Sequence, residues 1–561
     1  MHIYAILFLF FSNLTFASID TIWFNAHVLT MNDSFPEAEA VAVSNGRIVE
    51  IGKNENILKM REFRTKLIDL GGKSLLPGFI DTYGSLTGTA IKKISAPILP
   101  PPHGKTTSIA DMKKELSQFL KSSNFPKDYG VLIGFGYDDS KLLENRSPTK
   151  SELDQISERI PILVVHQSGR RGVMNTKALS LVGMTTLKDK ASKGEIEGKL
   201  FAESLFKLFS NLSDRQIIDI LLRGEEEYLQ NGFTTIQDEG SSKEQIEILI
   251  KASKEKKLTL DVVSFLDYTQ SELDVFLDFP YFENTNSNPM YTYHFRIGGK
   301  KIHLDGTLQS KTAWLSSPYF KRPLNEPKGY NGNAKLDDTE LEKIYKEGLQ
   351  NNTQILSIAN GDQAIDQMIN TYKRLKIKYP NSETRPFLIH GHTIRKDQIH
   401  ALKDLGIGIS FYPEFIYDWG DFSVSNILGK KRAEKIDPAS WAEQFLTRFT
   451  LHNNAPELSP NALKMIGSAV KRETKKGKVL GEELKISTEM ALKAITAWAS
   501  YQYFEEKSKG TLEKGKIADF VILSGNPLKN QKVKVLETIK EGESVYRHPS
   551  FKIKNRHYNF K

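Results

Sequence analysis

The sequence GFIDTYGSLTG, from Gly78 to Gly88, has the pattern of a short buried strand that opens onto a catalytic face. Phe79 and Ile80 form the apolar part, and Asp81 begins a polar segment that carries Tyr83 and Ser85. In α/β proteins with parallel strands, chemistry is found at the carboxyl ends of the strands. The stretch therefore predicts one strand of such a fold, with its functional end just after Ile80.

Helical patterns alternate with short apolar runs through the middle of the chain. KEQIEILIKASKEKK (243–257) precedes TLDVVSFL (259–266), and LEKIYKEGLQNN (341–352) precedes TQILSIA (353–359). Strand–helix alternation of this length predicts parallel strands, which close most naturally into a (β/α)8 TIM-type barrel. We expect the functional residues at six strand ends, namely 81–85, 237–240, 301–306, 358–362, 390–392 and 452–454.

Both ends of the chain are rich in strand patterns. EAVAVSNGRIVEIG (39–52) predicts a hairpin around Asn45-Gly46, and GTLEKGKIADFVIL (510–523) is another turn-and-strand unit. We therefore expect a small β-sandwich domain built from residues 18–76 and 500–561, with residues 77–499 forming the barrel between them.

Composition narrows the possible functions. The 561 residues are 39% hydrophobic and 26% charged, which is typical of a folded globular protein. The formal charge of +9 is spread along the chain, without a basic block interleaved with aromatic residues, so we expect no nucleic-acid partner. Because the chain has no cysteine, disulfides and thiolate metal sites are excluded.

The first 17 residues have the pattern of a signal peptide. The apolar run IYAILFLFF (3–11) is too short to span a bilayer comfortably, and Thr15 and Ala17 are small residues before a cleavage point at Ser18. We expect an exported protein, periplasmic or extracellular in a bacterium, with no membrane segment after cleavage. The basic segment that usually precedes such a run is missing, so an uncleaved anchor is the alternative.

Several blocks, in the same order, resemble the amidohydrolase superfamily, specifically its amidohydrolase 3 group. The blocks after GFID are GFTTIQDEG (232–240), KIHLDGTLQSKTAWLSSPY (301–319), ANGDQAID (359–366), YDWGD (417–421), FTLHNNAP (449–456) and KGTLEKGKIADFVILSGNPL (509–528). A narrower resemblance is to exoenzyme regulatory proteins. The family resemblance implies a TIM-type barrel and metal-dependent hydrolysis of non-peptide C–N bonds, commonly with two zinc ions and a carboxylated lysine that bridges them.

Carried onto this chain, the resemblance implies six metal-ligand positions, of which only Lys301 and His390 keep the family residue. Tyr83, Ser85 and Ile358 stand where the family has histidine, and Asn454 stands where it has the catalytic aspartate. Two substrate-side histidines are replaced by Arg170 and Phe415. We expect the pocket to be lined by Tyr83, Ser85, Arg170, Ile358, Phe415, Trp419, His452 and Asn454, with YDWGD as a structured loop.

These replacements remove metal chemistry for identifiable reasons. Ile358 has no donor atom, and Asn454 has no charge and cannot act as a base. Tyr83 would bind only as a phenolate, against a reference pKa of about 10. Two ligands are too few for a zinc site. Without metal, Lys301 would be an ammonium in need of an acceptor, for which Asp305 is a candidate.

The leading hypothesis is therefore a degenerate amidohydrolase, without a metal cofactor, that binds a small ligand or partner in the barrel mouth. The alternative is an active C–N hydrolase with a reduced or relocated zinc site, for example one formed by His303, His390 and His392. A third hypothesis is a purely structural exported protein. The sequence names neither the ligand nor the oligomeric state.

Overall fold

The computed structural model describes residues 18–101, 103–169, 171–184, 193–269, 291–445, 447–529, 532–552 and 554–555. Its strands are β1 Thr21–Phe24, β2 His27–Leu29, β3 Glu37–Ala38, β4 Ala40–Ser44, β5 Arg47–Gly52, β6 Lys66–Asp69, β7 Ser74–Pro77, β8 Phe79–Ile80, β9 Ala96–Pro97, β10 Leu132–Tyr137, β11 Ile162–His166, β12 Arg171–Met174, β13 Glu195–Glu197, β14 Phe233–Ser241, β15 Asp261–Asp267, β16 Phe295–His303, β17 Gln354–Ala359, β18 Phe387–His390, β19 Gly408–Phe411, β20 Phe449–Leu451, β21 Phe520–Leu523, β22 Val535–Lys540, β23 Glu543–Arg547 and β24 Lys554–Asn555.

The helices are α1 Asn54–Leu58, α2 Leu86–Lys93, α3 Ile109–Ser122, α4 Phe125–Tyr129, α5 Lys150–Asp154, α6 Thr176–Leu181, α7 Gly198–Leu208, α8 Asp214–Gln230, α9 Lys243–Lys254, α10 Asp338–Gln350, α11 Asp362–Lys378, α12 Lys396–Leu405, α13 Glu414–Phe422, α14 Lys430–Ala433, α15 Ala439–Gln444, α16 Ala462–Lys471, α17 Thr488–Ala494 and α18 Ala497–Gln502. In the ranges that the structure describes, no helix has both the length and the apolar character needed to cross a membrane.

The central element is a sheet of eight parallel strands in the order β8-β14-β15-β16-β17-β18-β19-β20. Its strands are apolar on both faces, as in β15, where Val262, Val263 and Phe265 are all fully buried. The sheet curls so that its two edge strands approach each other. Thr82 Oγ1, just after β8, donates a hydrogen bond to the carbonyl of Leu451 in β20 at 3.1 Å. The fold is the predicted α/β class, with a curled parallel sheet consistent with a TIM-type barrel.

Strands from the two ends of the chain form two further sheets, β24-β6-β1-β4-β5 and β23-β22-β21-β7-β2-β3. The sheets share one hydrophobic core, in which the rings of Trp23 and Phe520 meet edge to face at 5.4 Å. The hairpin around Asn45-Gly46 is confirmed: it joins β4 and β5, and the two residues have φ of 49° and 69°, as a type I′ turn requires.

A buried ion network joins the start of β15 to the C-terminal strands. The Asp261 carboxylate contacts the ammonium groups of Lys509 at 2.5 Å and Lys540 at 2.7 Å, and Lys540 also pairs with Asp519 at 2.9 Å. All four side chains are almost fully buried, so removing any one partner would leave an uncompensated charge. The network therefore holds the strands after the barrel against its amino-terminal end.

The segment 77–499, predicted as the barrel alone, also contains a separate sheet in the order β13-β12-β11-β10-β9. It lies in the chain between β8 and β14, and Ile133 and Phe135 of β10 share a hydrophobic cluster with Ala90 of α2 and Ile220 of α8. This inserted sheet is thereby packed beside the helix that follows β8. A second difference concerns YDWGD, which lies within α13 and is not a loop, because α13 packs Phe415, Ile416 and Trp419 into a buried cluster.

Candidate functional site

The six segments chosen from the sequence all lie at or just beyond the carboxyl ends of the parallel strands. Tyr83 follows β8 and is buried, with its ring 5.3 Å from that of His390 and 5.1 Å from that of His452. The ammonium of Lys301 lies 5.8 Å from the centre of the Tyr83 ring. Residues at the carboxyl ends of β8, β16, β18 and β20 therefore meet at one end of the sheet, which we call its mouth.

Lys301 forms an ion pair with the carboxylate of Glu239. The lysine side chain is 5% exposed and that of Glu239 is 18% exposed, so water screens the pair only weakly. Gly240 has a φ of 63° and makes room for the lysine, since a Cβ at that position would lie 2.6 Å from Nζ. Glu239 lies in the strand end 237–240 chosen from the sequence, but it was not predicted there as the partner of Lys301.

The expectation that Asp305 accepts from Lys301 is wrong. The Asp305 carboxylate accepts hydrogen bonds from the backbone amides of Trp314 at 2.9 Å, Asn360 at 3.0 Å and Gly361 at 2.8 Å. Burial raises the pKa of Asp305 to about 6. Strand β16 ends at His303, so Asp305 no longer follows the direction of the strand. Its hydrogen bonds link the loop after β16 to the end of β17.

Ser85 serves as the N-cap of α2. Its Oγ accepts from the amide of Gly88 at 3.0 Å and donates to Asp238 Oδ1 at 3.1 Å. Asp238 also accepts from the Thr87 amide at 2.9 Å and from Ser241 Oγ at 2.6 Å. Both hydrogen bonds of the Ser85 hydroxyl are therefore used, one to cap the helix and one to Asp238, which also accepts from two other residues.

Apolar and aromatic side chains occupy three further ligand positions, those of Tyr83, Ile358 and His390. Ile358 is buried in a cluster that includes Tyr83, Ile80 and Ile389. The rings of His390 and His392 stack at 5.3 Å, and His392 stacks on Phe415 at 4.0 Å.

The outer part of this stack is fixed by one carboxylate and one indole. His392 Nδ1 hydrogen-bonds to both oxygens of the Asp437 carboxylate at 3.0 Å. Trp419 stacks on Phe415 at 6.5 Å, and the Lys141 ammonium lies 5.1 Å from its ring. His392 and Phe415 are therefore parts of a packed wall.

His452 is completely buried, and neither of its ring nitrogens has a hydrogen-bond partner among the described residues. Burial lowers its pKa to about 3, so the imidazole is neutral at physiological pH. Asn454 donates from Nδ2 to Glu457 Oε2 at 2.7 Å. Desolvation, helped by Asp418, raises the pKa of Glu457 to about 7. Glu457 is a second carboxylate at the mouth that the sequence reasoning did not select.

The residues at the six family positions do not fit a binuclear metal site. Lys301 is paired with Glu239, Ser85 caps a helix and Ile358 is packed among apolar side chains. Within the described residues, the groups whose three ligand atoms approach within 4.8 Å are Asp138, Asp139 and His166, and Asp261, His294 and Glu541. Neither group includes His303, His390 or His392, so the relocated site lacks converging ligands in this geometry.

In both groups, a carboxylate already forms ion pairs with arginine or lysine side chains of the protein. Asp139 pairs with Arg171 at 2.6 Å, and Asp138 Oδ1 caps a short helical turn by accepting from Ser140. Asp261 is compensated by Lys509 and Lys540 in the buried network described above. These carboxylates are accounted for by structural roles.

A cavity of about 440 Å³ opens beside the Lys301–Glu239 pair, between the strand ends and the inserted sheet. Ser85, Lys301 and His303 contribute to its wall. Tyr83, Ile358, Phe415, Trp419, His452 and Asn454, predicted as pocket-lining residues, are not part of this wall. Tyr83 packs with Ile358 and with the ring of His452, and Phe415 stacks on Trp419, so these side chains are buried against each other. Arg170 lies outside the described residues.

Comparisons with known proteins agree with this architecture. N-substituted formamide deformylase from Arthrobacter pascens is 24% identical and aligns over 94% of this chain and 98% of its own length. Exoenzymes regulatory protein AepA from Pectobacterium carotovorum subsp. carotovorum is 26% identical over 55% of this chain and 68% of that protein. A solved structure, an uncharacterized metal-dependent hydrolase from Pyrococcus horikoshii OT3, superposes with a TM-score of 0.74 at 21% identity, covering 94% of this chain and all of that one.

The family is shown by a match that extends over most of the chain. The amidohydrolase family model matches residues 66–546, which include β6 to β22, most of β23 and every candidate site residue discussed above. The chain belongs to the amidohydrolase family.

Proposed function

We propose that this protein has lost the binuclear metal chemistry of its family and binds a small ligand at the mouth of the parallel sheet. The ion pair between Lys301 and Glu239 is the observation that carries the proposal. A lysine carbamate forms from the neutral amine, whereas an adjacent carboxylate favours the ammonium. A carbamate is also an anion and would be repelled by Glu239. The position that should bridge two metal ions is therefore held in a form that cannot bind them.

The other replacements support the same proposal. Asn454 cannot take a proton from a metal-bound water, and its amide is engaged with Glu457. An aspartate at this position would face Glu457 without cations to offset the two charges. Tyr83 and Ile358 fill the volume that imidazoles and ions would otherwise need. The cavity, by contrast, is open and of a size usual for small-molecule sites, roughly 300–1,000 Å³.

The second candidate function is that of an active C–N hydrolase with a reduced or relocated zinc site. It is favoured by the similarity to N-substituted formamide deformylase over nearly the whole length of both proteins. On this proposal, His390 would be a zinc ligand and the substrate would be an N-substituted formamide or a related amide.

A hydrolysis assay separates the two proposals. Purified wild-type protein and the His390→Ala variant would be incubated with N-substituted formamides and simple amides, with and without added zinc. Our proposal predicts rates equal to the protein-free background for both proteins. A zinc-dependent rate above background that is lost in His390→Ala would overturn it and support the hydrolase.

The remaining expectations from the sequence stand as proposals. We propose that the chain is exported after removal of residues 1–17, which lie outside the described residues. We also propose that residues 18–76 and 500–561 form a β-sandwich domain, which is supported by the core that the two terminal sheets share. No nucleic-acid partner is proposed.

A further inference from the structure

We infer that the ligand of the 440 Å³ cavity is a hydrophobic primary amine, bound with its apolar part against β10 and the helices α7, α8 and α9 and with its ammonium near Asp267. This inference rests on the proposed function, because it assumes that the cavity binds a ligand. It adds the chemical class of that ligand.

The apolar part of the cavity is extensive and lies away from the strand ends. Its wall includes Phe135 of β10, Phe201 and Phe206 of α7, Ile217 of α8 and Ile248 of α9. Phe206 is 36% exposed although it belongs to this wall, so a large aromatic surface is left for a ligand to cover. Aromatic and branched side chains in this arrangement suit a phenyl or branched alkyl group.

The polar part of the cavity lies at the ends of β14, β15 and β16. Its charged side chains are Glu239, Asp267 and Lys301, accompanied by His303 and Thr269. Lys301 and Glu239 neutralise each other through their ion pair. Asp267 is therefore the carboxylate that gives this end of the cavity its net negative charge.

Asp267 is held in place but is not neutralised. Its Oδ1 accepts from the amide of Thr269 at 2.9 Å and from the hydroxyl of Thr269 at 2.6 Å. Among the described residues, no cationic side chain forms an ion pair with Asp267. It ends β15 and pairs in register with Lys301 of β16, so it stands next to the central ion pair. A fixed carboxylate without a cation, at the polar end of an apolar cavity, is complementary to an ammonium.

The same arrangement disfavours an acidic ligand. The carboxylate of a hydrophobic acid would approach both Asp267 and Glu239, and the only cation in the described wall, Lys301, is already paired. In a partly desolvated cavity, opposite charges attract and like charges repel more strongly than in bulk water. Among ligands of similar shape, we therefore expect the amine to bind most tightly, a neutral amide less tightly and the acid most weakly.

Isothermal titration calorimetry with three probes of matched shape tests the inference on the intact protein. The probes are 4-phenylbutylamine, 4-phenylbutanamide and 4-phenylbutanoate, at neutral pH and low salt. We expect the amine to bind at least about tenfold more tightly than the carboxylate, with the amide between them. Asp267→Asn should weaken the amine to the level of the amide and leave the amide unchanged.

Two further variants locate the site. Phe206→Ala should weaken all three probes to a similar degree, because it removes part of the apolar wall. Asp404→Asn, at a 63% exposed position on α12, is the matched control and should change none of them. Thermal unfolding of each variant shows whether it is folded.

Binding of the carboxylate as tight as that of the amine would overturn the inference, as would amine binding that survives Asp267→Asn unchanged. Folded wild-type protein that binds none of the probes would also overturn it. The proposed function fails differently: turnover of N-formyl-4-phenylbutylamine would show a working hydrolase while the order of the three probes still held.

Discussion

The ammonium of Lys301 and the carboxylate of Glu239 form an ion pair across β15, at the mouth of the parallel sheet. By the family resemblance, Lys301 stands at the position of a lysine that is carboxylated and bridges two metal ions. On our proposal, Glu239 pairs with the lysine ammonium in place of carboxylation by CO2. Retention of the lysine alone is therefore no sign of retained metal chemistry.

Glu239→Gln should destabilise the protein, because it removes the carboxylate that is paired with the buried Lys301 ammonium. The expected loss in the free energy of unfolding is about 3 kcal/mol. Combining Glu239→Gln with Lys301→Met should recover most of this loss, since neither member of the pair is then charged. Denaturant unfolding measures both, and Glu55→Gln in the exposed Lys59–Glu55 pair is the control, with an expected change below about 1 kcal/mol. A loss no larger than in this control would show that the pair is not formed.

Ser85→Ala should lower stability by about 1 kcal/mol or slightly more, because Ser85 caps α2. The comparison is Ser108→Ala, which removes the cap of α3, where the serine accepts from Asp111. Ser85 additionally donates to Asp238, so its loss should be at least as large as that of Ser108. Chemical denaturation of the two variants is the measurement. If Ser85→Ala left stability unchanged, the structural role assigned to this hydroxyl would be wrong.

His452 should make stability depend on pH below neutrality. Burial lowers its pKa from 6.5 to about 3, so between these values the unfolded chain binds a proton that the folded protein does not. The contribution of the neutral His452 to the free energy of unfolding is therefore fully present above pH 6.5 and is lost as the pH falls toward 3. Between pH 7.5 and 4.5, wild type should lose about 2–3 kcal/mol more than His452→Phe. Parallel stability curves for the two proteins would contradict this assignment.

The parts of the fold that were predictable are those set by local patterns. The Asn45-Gly46 hairpin follows from a turn that only a few residue pairs favour, and the strand ends that carry Tyr83, Lys301 and His390 follow apolar runs of ordinary length. The inserted sheet was missed because its parallel strands β9, β10 and β11 alternate with helices, as barrel strands do, and β9 contains only Ala96 and Pro97. YDWGD was predicted as a structured loop, whereas burial of Trp419 stabilises it as a helix.

The candidate site was predictable in position but not in its contacts. Which side chains reach the mouth depends on register, and register places Tyr83, His390 and His452 together. The partner of Lys301 depends on how far β16 continues, and it ends too early for Asp305 to face the lysine. Glu457 gave no signal in the sequence, because a single carboxylate is common. Glu239 lies in the expected strand end 237–240, but only packing decides that it pairs with Lys301.

Metal content is the measurement that tests the central claim most directly. The protein would be purified, dialysed without chelator, and its zinc quantified per chain for wild type and for His390→Ala. The Lys301–Glu239 pair and the four replaced ligands predict far less than one zinc per chain in both. Stoichiometric zinc in the wild type that His390→Ala removes would contradict the account and show that the metal site has survived.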